Sequence, residues 1–572
     1  LFTPIAIATM LSMAVSFVVS LTVIPVLCSL LLRPKQGKKH TDGPLVRGMK
    51  WLLRITWLRL ALNQPFAVMT IAAVLLAGSL TLYPIMGKAF LPSFQEETAL
   101  VALTTAPGTS LKQTNEISDI ADRLLLSIPE VRKVGRRVGR AERGDHVVPV
   151  STVEFDIDFQ AGERSRAEVL EEIRARMRTI PGTFAALSGP LADRIGHMLS
   201  GVSAKVAIKI FGPDLKELRR IGTDIQKLAK DIPGLEDAKV EQQAPIPQLR
   251  IEVDRDRALA YGITPGALNK QLSALLGGES VGELYEGQRT IDLVLRLPEA
   301  WRESPDRLAN MTIHVPGGRQ IPLNLIANIR TATGPNMIQR ENTQRRFVVS
   351  INPTQRDLAS LVTKLQQDVL AGVNVPDGYF LSFEGEYIAQ QQASRRIALL
   401  SAVVFVIMAF LLYGYFRSPV FAIQVIADIP LALIGGLGFT WYMLNNISIA
   451  TLVGFIAVAG VAARNSVMLI SHYLHLMRHE GETFSRDMVE RATLERLVPV
   501  LMTALATGIA LVPLVMAADA PGKEILHPVA VVIVGGLTTS TLLGLGVTPA
   551  VFFALGRRAA LESVRLKSAA SG

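Results

Sequence analysis

The chain has 572 residues, 49% of them hydrophobic and only 19% charged, and its mean hydropathy is positive at +0.34, whereas soluble domains carry about 25% charged residues, so a membrane protein is the first inference. The formal net charge of +10 comes with no nucleic-acid-binding motif, and many basic residues flank apolar runs, which sets nucleic acid aside in favour of membrane lipid. The single cysteine, Cys28, lies in the first apolar run and excludes a disulfide or cysteine-based metal framework within one chain.

The chain begins at Leu1 and enters an apolar run at once, without the n-region and cleavage site of a signal peptide, so it reads as a fragment. With about 20 apolar residues needed to cross roughly 30 Å of hydrocarbon, seven spans are expected, near 3–32, 66–87, 396–416, 419–443, 447–475, 497–517 and 528–556. RPKQGKKH (Arg33 to His40), Lys50, Arg54 and Arg59 place the 34–65 linker in the cytoplasm, and the long polar segment after the second span then lies outside. Arg417, the stretch Arg478 to Arg496 and the tail 558–572 fall on the cytoplasmic side, and all seven spans alternate consistently.

The external segment repeats a strand, helix, strand order. TALVALTTA (98–106), the helix Ser110 to Ile128 and VRKVGRRVG are followed by STVEFDIDF (Ser151 to Phe159), a helix around Arg166 to Ile180 and FAAL (Phe184 to Leu187). This predicts a ferredoxin-like split βαβ subdomain over 88–202. The same order recurs in AKVAIKIFG, the helix Asp214 to Ile232 and DAKVEQQ, and resumes after a gap with RFVVSINP, the helix Asp357 to Gly372 and YFLSFEG. A second subdomain is therefore expected over 203–245 and 336–393, interrupted by an inserted module at 246–335 with strands of its own in QLRIEVDR and RTIDLVLRLP. Five spans, 394–557, would close the chain.

FLPSFQEE (Phe90 to Glu97), PGTS (Pro107 to Ser110), GFIAVAGVAARNSVMLISHY (Gly454 to Tyr473), RLVPVLMTALAT (Arg496 to Thr507) and GGLTTSTLLGLGVTPAVF (Gly535 to Phe552), in this order, resemble the carboxy-terminal half of the resistance-nodulation-division efflux permeases. GRAE (Gly139 to Glu142), RIGHMLSGV (Arg194 to Val202) and WRESPDRL (Trp301 to Leu308) resemble the heavy-metal branch more than the drug branch. The resemblance implies a seven-helix transmembrane α-helical bundle with a large periplasmic α+β region. It also implies proton-driven export of heavy-metal cations, a homotrimer, a periplasmic membrane-fusion adaptor, an outer-membrane channel, and acidic relay partners in the missing amino-terminal half. It implies a transporter, not an enzyme, with no cofactor beyond the transported ion. Rival readings are a multidrug exporter of the same fold and a truncated half that does not transport.

An arginine at mid-helix costs about 2.5–3.5 kcal/mol on insertion scales and normally faces the bundle interior beside an acid. Arg464 in GVAARNSVML is such a residue. It resembles the basic member of the drug branch's proton relay, whereas the copper branch tends to an acid there. Its alternative role is a fixed counter-ion. Asp428, the one acid inside a span, precedes the helix-distorting Pro430 and is a candidate to titrate or to pair with Arg464 or Asn465. Thr503 matches a hydroxyl that the family places near the relay; alternatively it bonds its own helix. No phosphate-binding G-x-x-x-x-G-K-[ST] loop occurs, so no ATP site is visible.

For the cargo, His197 and Met198 lie in the motif that the family places in its periplasmic cleft, with Glu142, Asp145 and His146 as further donors. Thioether suits copper or silver, and imidazole suits zinc, cobalt, nickel or cadmium. His197 and His146 also read as solvated loop residues near a domain joint. Gly277 and Gly278 resemble the hinge of a docking module through which one subunit reaches its neighbour, or form an ordinary turn. His472, His475 and His479 descend one helix end, where interfacial histidines are the plainer explanation than a metal site.

Overall fold

A computed structural model describes the chain except residues 1, 32–42, 93, 95, 140–147, 161, 203, 234, 236–237, 352–357, 519 and 571–572. Among the described residues, six helices are long and apolar enough to cross a bilayer: Met10–Leu31, Glu386–Phe416, Pro419–Leu444, Ile449–His479, Arg486–Met516 and Leu526–Leu555. The expected span at 66–87 is shorter than anticipated, a helix over Pro65–Leu80 followed by turns. The residue before a proline is pushed out of the α region, so Tyr83 and Pro84 close off the helix well before 87. It makes a seventh span only if joined to Pro44–Asn63, from which it is bent by 99°.

The chain divides into two units. One comprises Leu1–Thr70, Met468–Met502 and Leu545–Gly572. Its packing is aromatic: Tyr473 lies 4.6 Å from Phe552 between ring centroids, and Phe484 touches Phe552 and Phe553. The Tyr473 hydroxyl, fully buried, shares a 2.8 Å hydrogen bond with Thr493, as a phenol in an apolar interior must.

The other unit comprises Ile71–Val467 and Thr503–Gly544 and contains two antiparallel sheets. The first orders its strands Val131–Val138, Thr152–Phe159, Thr98–Thr104, Phe184–Ser188. In sequence rank this is second, third, first, fourth, the ferredoxin-like order. Alternate residues Ala99, Val101, Leu103 and Val153, Phe155, Ile157 turn inward to meet Ala121, Leu125, Val169 and Ile173 of the covering helices. The helices begin at capping serines: Ser110 accepts from Gln113 N, and Ser165 forms a reciprocal capping box with Glu168.

The second sheet repeats the order with Ala238–Val240, Gln344–Ile351, Val206–Phe211 and Phe380–Glu384. Its central strand is entirely buried and yet contains Lys209, 2% exposed. The ammonium is held between Glu341 at 2.8 Å and Glu384 at 2.7 Å, and Arg346 joins Glu341 at 3.2 Å. Two carboxylates thus offset the cost of desolvating one lysine, and the Arg346 guanidinium balances the second negative charge. Between the sheet's halves, Pro245–Val253 and Ala327–Pro335 pair along nine residues each and lead into a module with its own core of Leu268, Ile313, Leu323 and Ile326.

Glycines bring the apolar helices of this unit together. A Cβ on Gly435 would collide with the Gly535 carbonyl oxygen and the Thr539 hydroxyl, and one on Gly436 with Phe455. The Gly435 amide donates to Thr539 Oγ1 at 3.1 Å. Small residues allow such close backbone approach, which replaces the hydrophobic driving force absent in lipid.

Replacing Gly435 by Val should lower thermal stability in detergent by about 1–3 kcal/mol through overpacking. The same change at Gly438, whose Cβ meets nothing within 4 Å, should leave the transition in place. A second expectation concerns Glu241, whose carboxyl burial pushes up to about 7 although Arg346 and the Val348 amide pull it down. The folded state therefore keeps a proton that the unfolded chain loses near the ordinary glutamate value. That contribution to stability is full at acid pH and is lost as pH rises toward 7. Glu241→Gln should flatten the pH profile of the melting temperature across that window.

Candidate functional site

Asp428 lies on the helix Pro419–Phe439, which contains Pro430, and is 4% exposed. An isolated carboxylate there would be prohibitively costly. Ser466 Oγ, on the helix Ile449–His479, donates to Asp428 Oδ2 at 2.6 Å. Gln424, one turn before Asp428, is buried as well. Asn465 is 6% exposed, and neither atom of its amide has a hydrogen-bond partner among the described residues. Thr541 Oγ1 on the helix Leu526–Leu555 is likewise buried and without a partner among them. Buried polar groups are normally satisfied, and those that are not mark a place where something else binds or moves.

At 100° per residue Arg464 and Ser466 fall nearly opposite one another. The structure follows this geometry: Ser466 and Asn465 are buried, and Arg464 is exposed. Of the four residues expected in a relay, the structure brings the Asp428 carboxylate to the face of Ser466 and Asn465. It leaves Arg464 on the outer side of its helix. Thr503, half-buried, sits on the helix Arg486–Met516. Ser466 was not anticipated, although its sequence signal was available, since Asn465 and Ser466 form an adjacent polar pair inside an apolar run.

His197 and Met198 lie on a short helix, Pro190–Ser200, that starts with Pro at its first position and ends at the left-handed Gly201. Its first amides are capped from afar, since Leu191 N and Ala192 N donate to the Glu96 carboxylate at 2.7 and 3.2 Å, where a negative charge also complements the helix dipole. His197 Nε2 stands 3.6 Å from Asp193, one turn earlier. Met198 is 80% exposed and presents its thioether to the surroundings. Glu142, Asp145 and His146 lie outside the described residues. No group of three or more His, Cys, Asp or Glu able to hold a metal ion occurs among the described residues.

Gly277 ends the helix Pro265–Gly277, and Gly278 follows with φ +95°. A Cβ on Gly278 would lie 2.7 Å from Val294 Cγ1. Beyond it runs the hairpin Glu279–Glu286 and Arg289–Leu295, which exposes Leu284, Tyr285 and Leu293. At the end of the Ile449–His479 helix, His472 Nε2 meets Glu495 at 2.8 Å. The His475 ring stands 4.8 Å from that of His479.

Residues 1–556 match the AcrB/AcrD/AcrF family model. The chain is 31% identical over 566 residues to the cobalt-zinc-cadmium resistance protein CzcA of Cupriavidus metallidurans, covering 96% of this chain and 52% of that protein. It is 30% identical over 570 residues to the cation efflux system protein CusA of Escherichia coli K12, covering 96% and 54%. A crystal structure of a heavy metal efflux pump superposes with a TM-score of 0.75 at 29% identity, over 93% of this chain and 54% of that one. The chain thus spans about half the length of the curated relatives it matches. The chain belongs to the AcrB/AcrD/AcrF family of resistance-nodulation-division efflux permeases and is most like its heavy-metal branch.

Proposed function

We propose that the chain is part of a proton-driven permease that exports heavy-metal cations across the cell envelope from the inner membrane. The observation that supports this reading most is the buried Asp428–Ser466 pair beside an unsatisfied Asn465 amide, on apolar helices of a chain whose relatives are named for metal resistance and cation efflux. In this reading the large α+β segment faces the periplasm. The working assembly is a homotrimer with a periplasmic adaptor and an outer-membrane channel.

Asp428 takes up and releases a proton. Ionised, it holds the Ser466 hydroxyl; neutral, it becomes a donor and releases Ser466 to its own helix, where the Ala462 carbonyl already lies 3.4 Å from Ser466 Oγ. The Asn465 amide and Thr503 belong to the same relay. Arg464 turns outward to an acid in the remaining length that its relatives possess, since an unpaired guanidinium facing lipid at mid-span is costly. Each proton moving inward supplies about 2.3 kcal/mol per 100 mV before any pH gradient is counted.

The cargo ion passes His197 and Met198 in the periplasmic cleft, where an imidazole and an exposed thioether offer borderline and soft donors. Gly277 and Gly278 act as the hinge of the docking hairpin. Glu142, Asp145 and His146 supply further donors.

The full-length permease in an efflux-deficient host should raise tolerance to zinc, cobalt, nickel, cadmium, copper or silver more than to dyes; raised dye tolerance with unchanged metal tolerance would make it a multidrug exporter. Asp428→Asn and Arg464→Ala should each return metal tolerance to the level of the host strain while membrane abundance stays the same. Export retained in Arg464→Ala would reduce that residue to a structural counter-ion.

A further inference from the structure

Three of the eight histidines in the chain, His472, His475 and His479, fall on the last two turns of the helix Ile449–His479, and the export route described above uses none of them. At about 1.5 Å per residue the 31 residues of this helix extend for about 46 Å, well beyond the roughly 30 Å of hydrocarbon. The excess falls at the end that carries Arg478 and the histidines, where His475 and His479 are both exposed. On the topology proposed above, this end lies in the cytoplasm.

Of the three, His472 is already engaged. Its Nε2 meets Glu495 at 2.8 Å, and its Nδ1 lies 3.5 Å from the Arg496 guanidinium. His475 and His479, four residues apart, stand one above the other on one helix face, with ring centroids 4.8 Å apart and planes tilted by 35°. This is the spacing by which two imidazoles on adjacent turns share one metal ion. With metal–nitrogen bonds of about 2.0–2.1 Å and ring centroids about 1.1 Å further out, two imidazoles on one ion have centroids about 4.5 Å apart at a right angle and about 5.2 Å at the tetrahedral angle. The observed separation falls between the two.

The surroundings favour a cation. Unpaired carbonyls give the carboxy-terminal end of a helix a partial negative charge. Just beyond this end Arg491 gathers Glu480, Glu482 and Glu495, three carboxylates around one guanidinium. Looking down the helix, His479 lies about 40° to one side of His475 and Arg478 about 60° to the other, and the Arg478 Nε is buried.

We infer that His475 and His479 form a two-imidazole chelate for a borderline divalent cation, namely zinc, cobalt, nickel or copper(II), with water completing the coordination. Imidazole selects such ions over magnesium and calcium, which take oxygen ligands. The bound ion bridges successive turns at the end of the helix that also carries Asn465 and Ser466. The site shares no residue with the proposed cargo route and stands whether or not the permease exports metal; only its compartment rests on the topology proposed above.

The test titrates copper(II) and nickel into the full chain in detergent, purified without a histidine tag and carrying His197→Ala to remove the imidazole of the cargo route. One equivalent of copper(II) should give an electron paramagnetic resonance spectrum split by two imidazole nitrogens. His475→Ala and His479→Ala should each weaken binding at least about tenfold, the loss that follows even from removing a partner of a metal ligand, while the melting temperature of the metal-free chain stays the same. His472→Ala should bind as its parent does. Equal affinity in the parent and in the double variant His475→Ala/His479→Ala would overturn the site, as would a spectrum split by a single nitrogen. Loss of binding in His472→Ala would overturn the two-residue assignment, and a metal-induced rise in mass by light scattering would overturn a chelate within one molecule. Every readout is taken on the purified chain, so unchanged metal tolerance in the host bears on the export reading alone.

Discussion

Hydrocarbon offers no partner to a polar group, and this constraint organises the apolar helices of the chain. Ser466 reaches Asp428 from the neighbouring helix, and the helix of Asp428 is held against Leu526–Leu555 by a close backbone contact that only glycine permits. The Gly435 amide donates to Thr539 Oγ1 on the facing helix. Close contacts at glycine thus fix the helix on which the Asp428 carboxylate is buried.

The α+β segment solves the same problem with charge in place of close packing. Lys209 in an otherwise apolar strand is held by Glu341 and Glu384, which come from other strands of the same sheet. Arg346 extends this cluster, and its guanidinium approaches Gly201, the residue that ends the helix of His197 and Met198. The buried charges of the second sheet therefore abut the element proposed to meet the cargo.

Much of this was legible in the residue pattern. Periods of two and 3.6 located both split βαβ units because each strand and helix has one face in a core, and the inserted module announced itself by strands that fit neither unit. What escaped has a common cause. Glu96 caps a helix 95 residues away, and Lys209 finds Glu341 at a separation of 132; no local spacing encodes such pairings. Arg464 was visible as a charge in an apolar run, but its direction depends on which neighbour faces Asp428, and only the packed helices decide that. The helix Pro190–Ser200 was missed although Pro190 and Gly201 bracket it as start and stop signals. The span at 66–87 was overextended because composition remains apolar through turns that Pro84 imposes.

The joint at Gly278 has a consequence for how this architecture varies. Its positive φ disfavours any side chain, and the wall formed by Val294 leaves no room for one. The angle at which the hairpin leaves its module is thus closed to adjustment by substitution at the pivot. Reach can be tuned only by adding or removing residue pairs between 279 and 295, each pair lengthening the arm by about 3.4 Å. Length is thus the one property of this hairpin that substitution at the glycine leaves open.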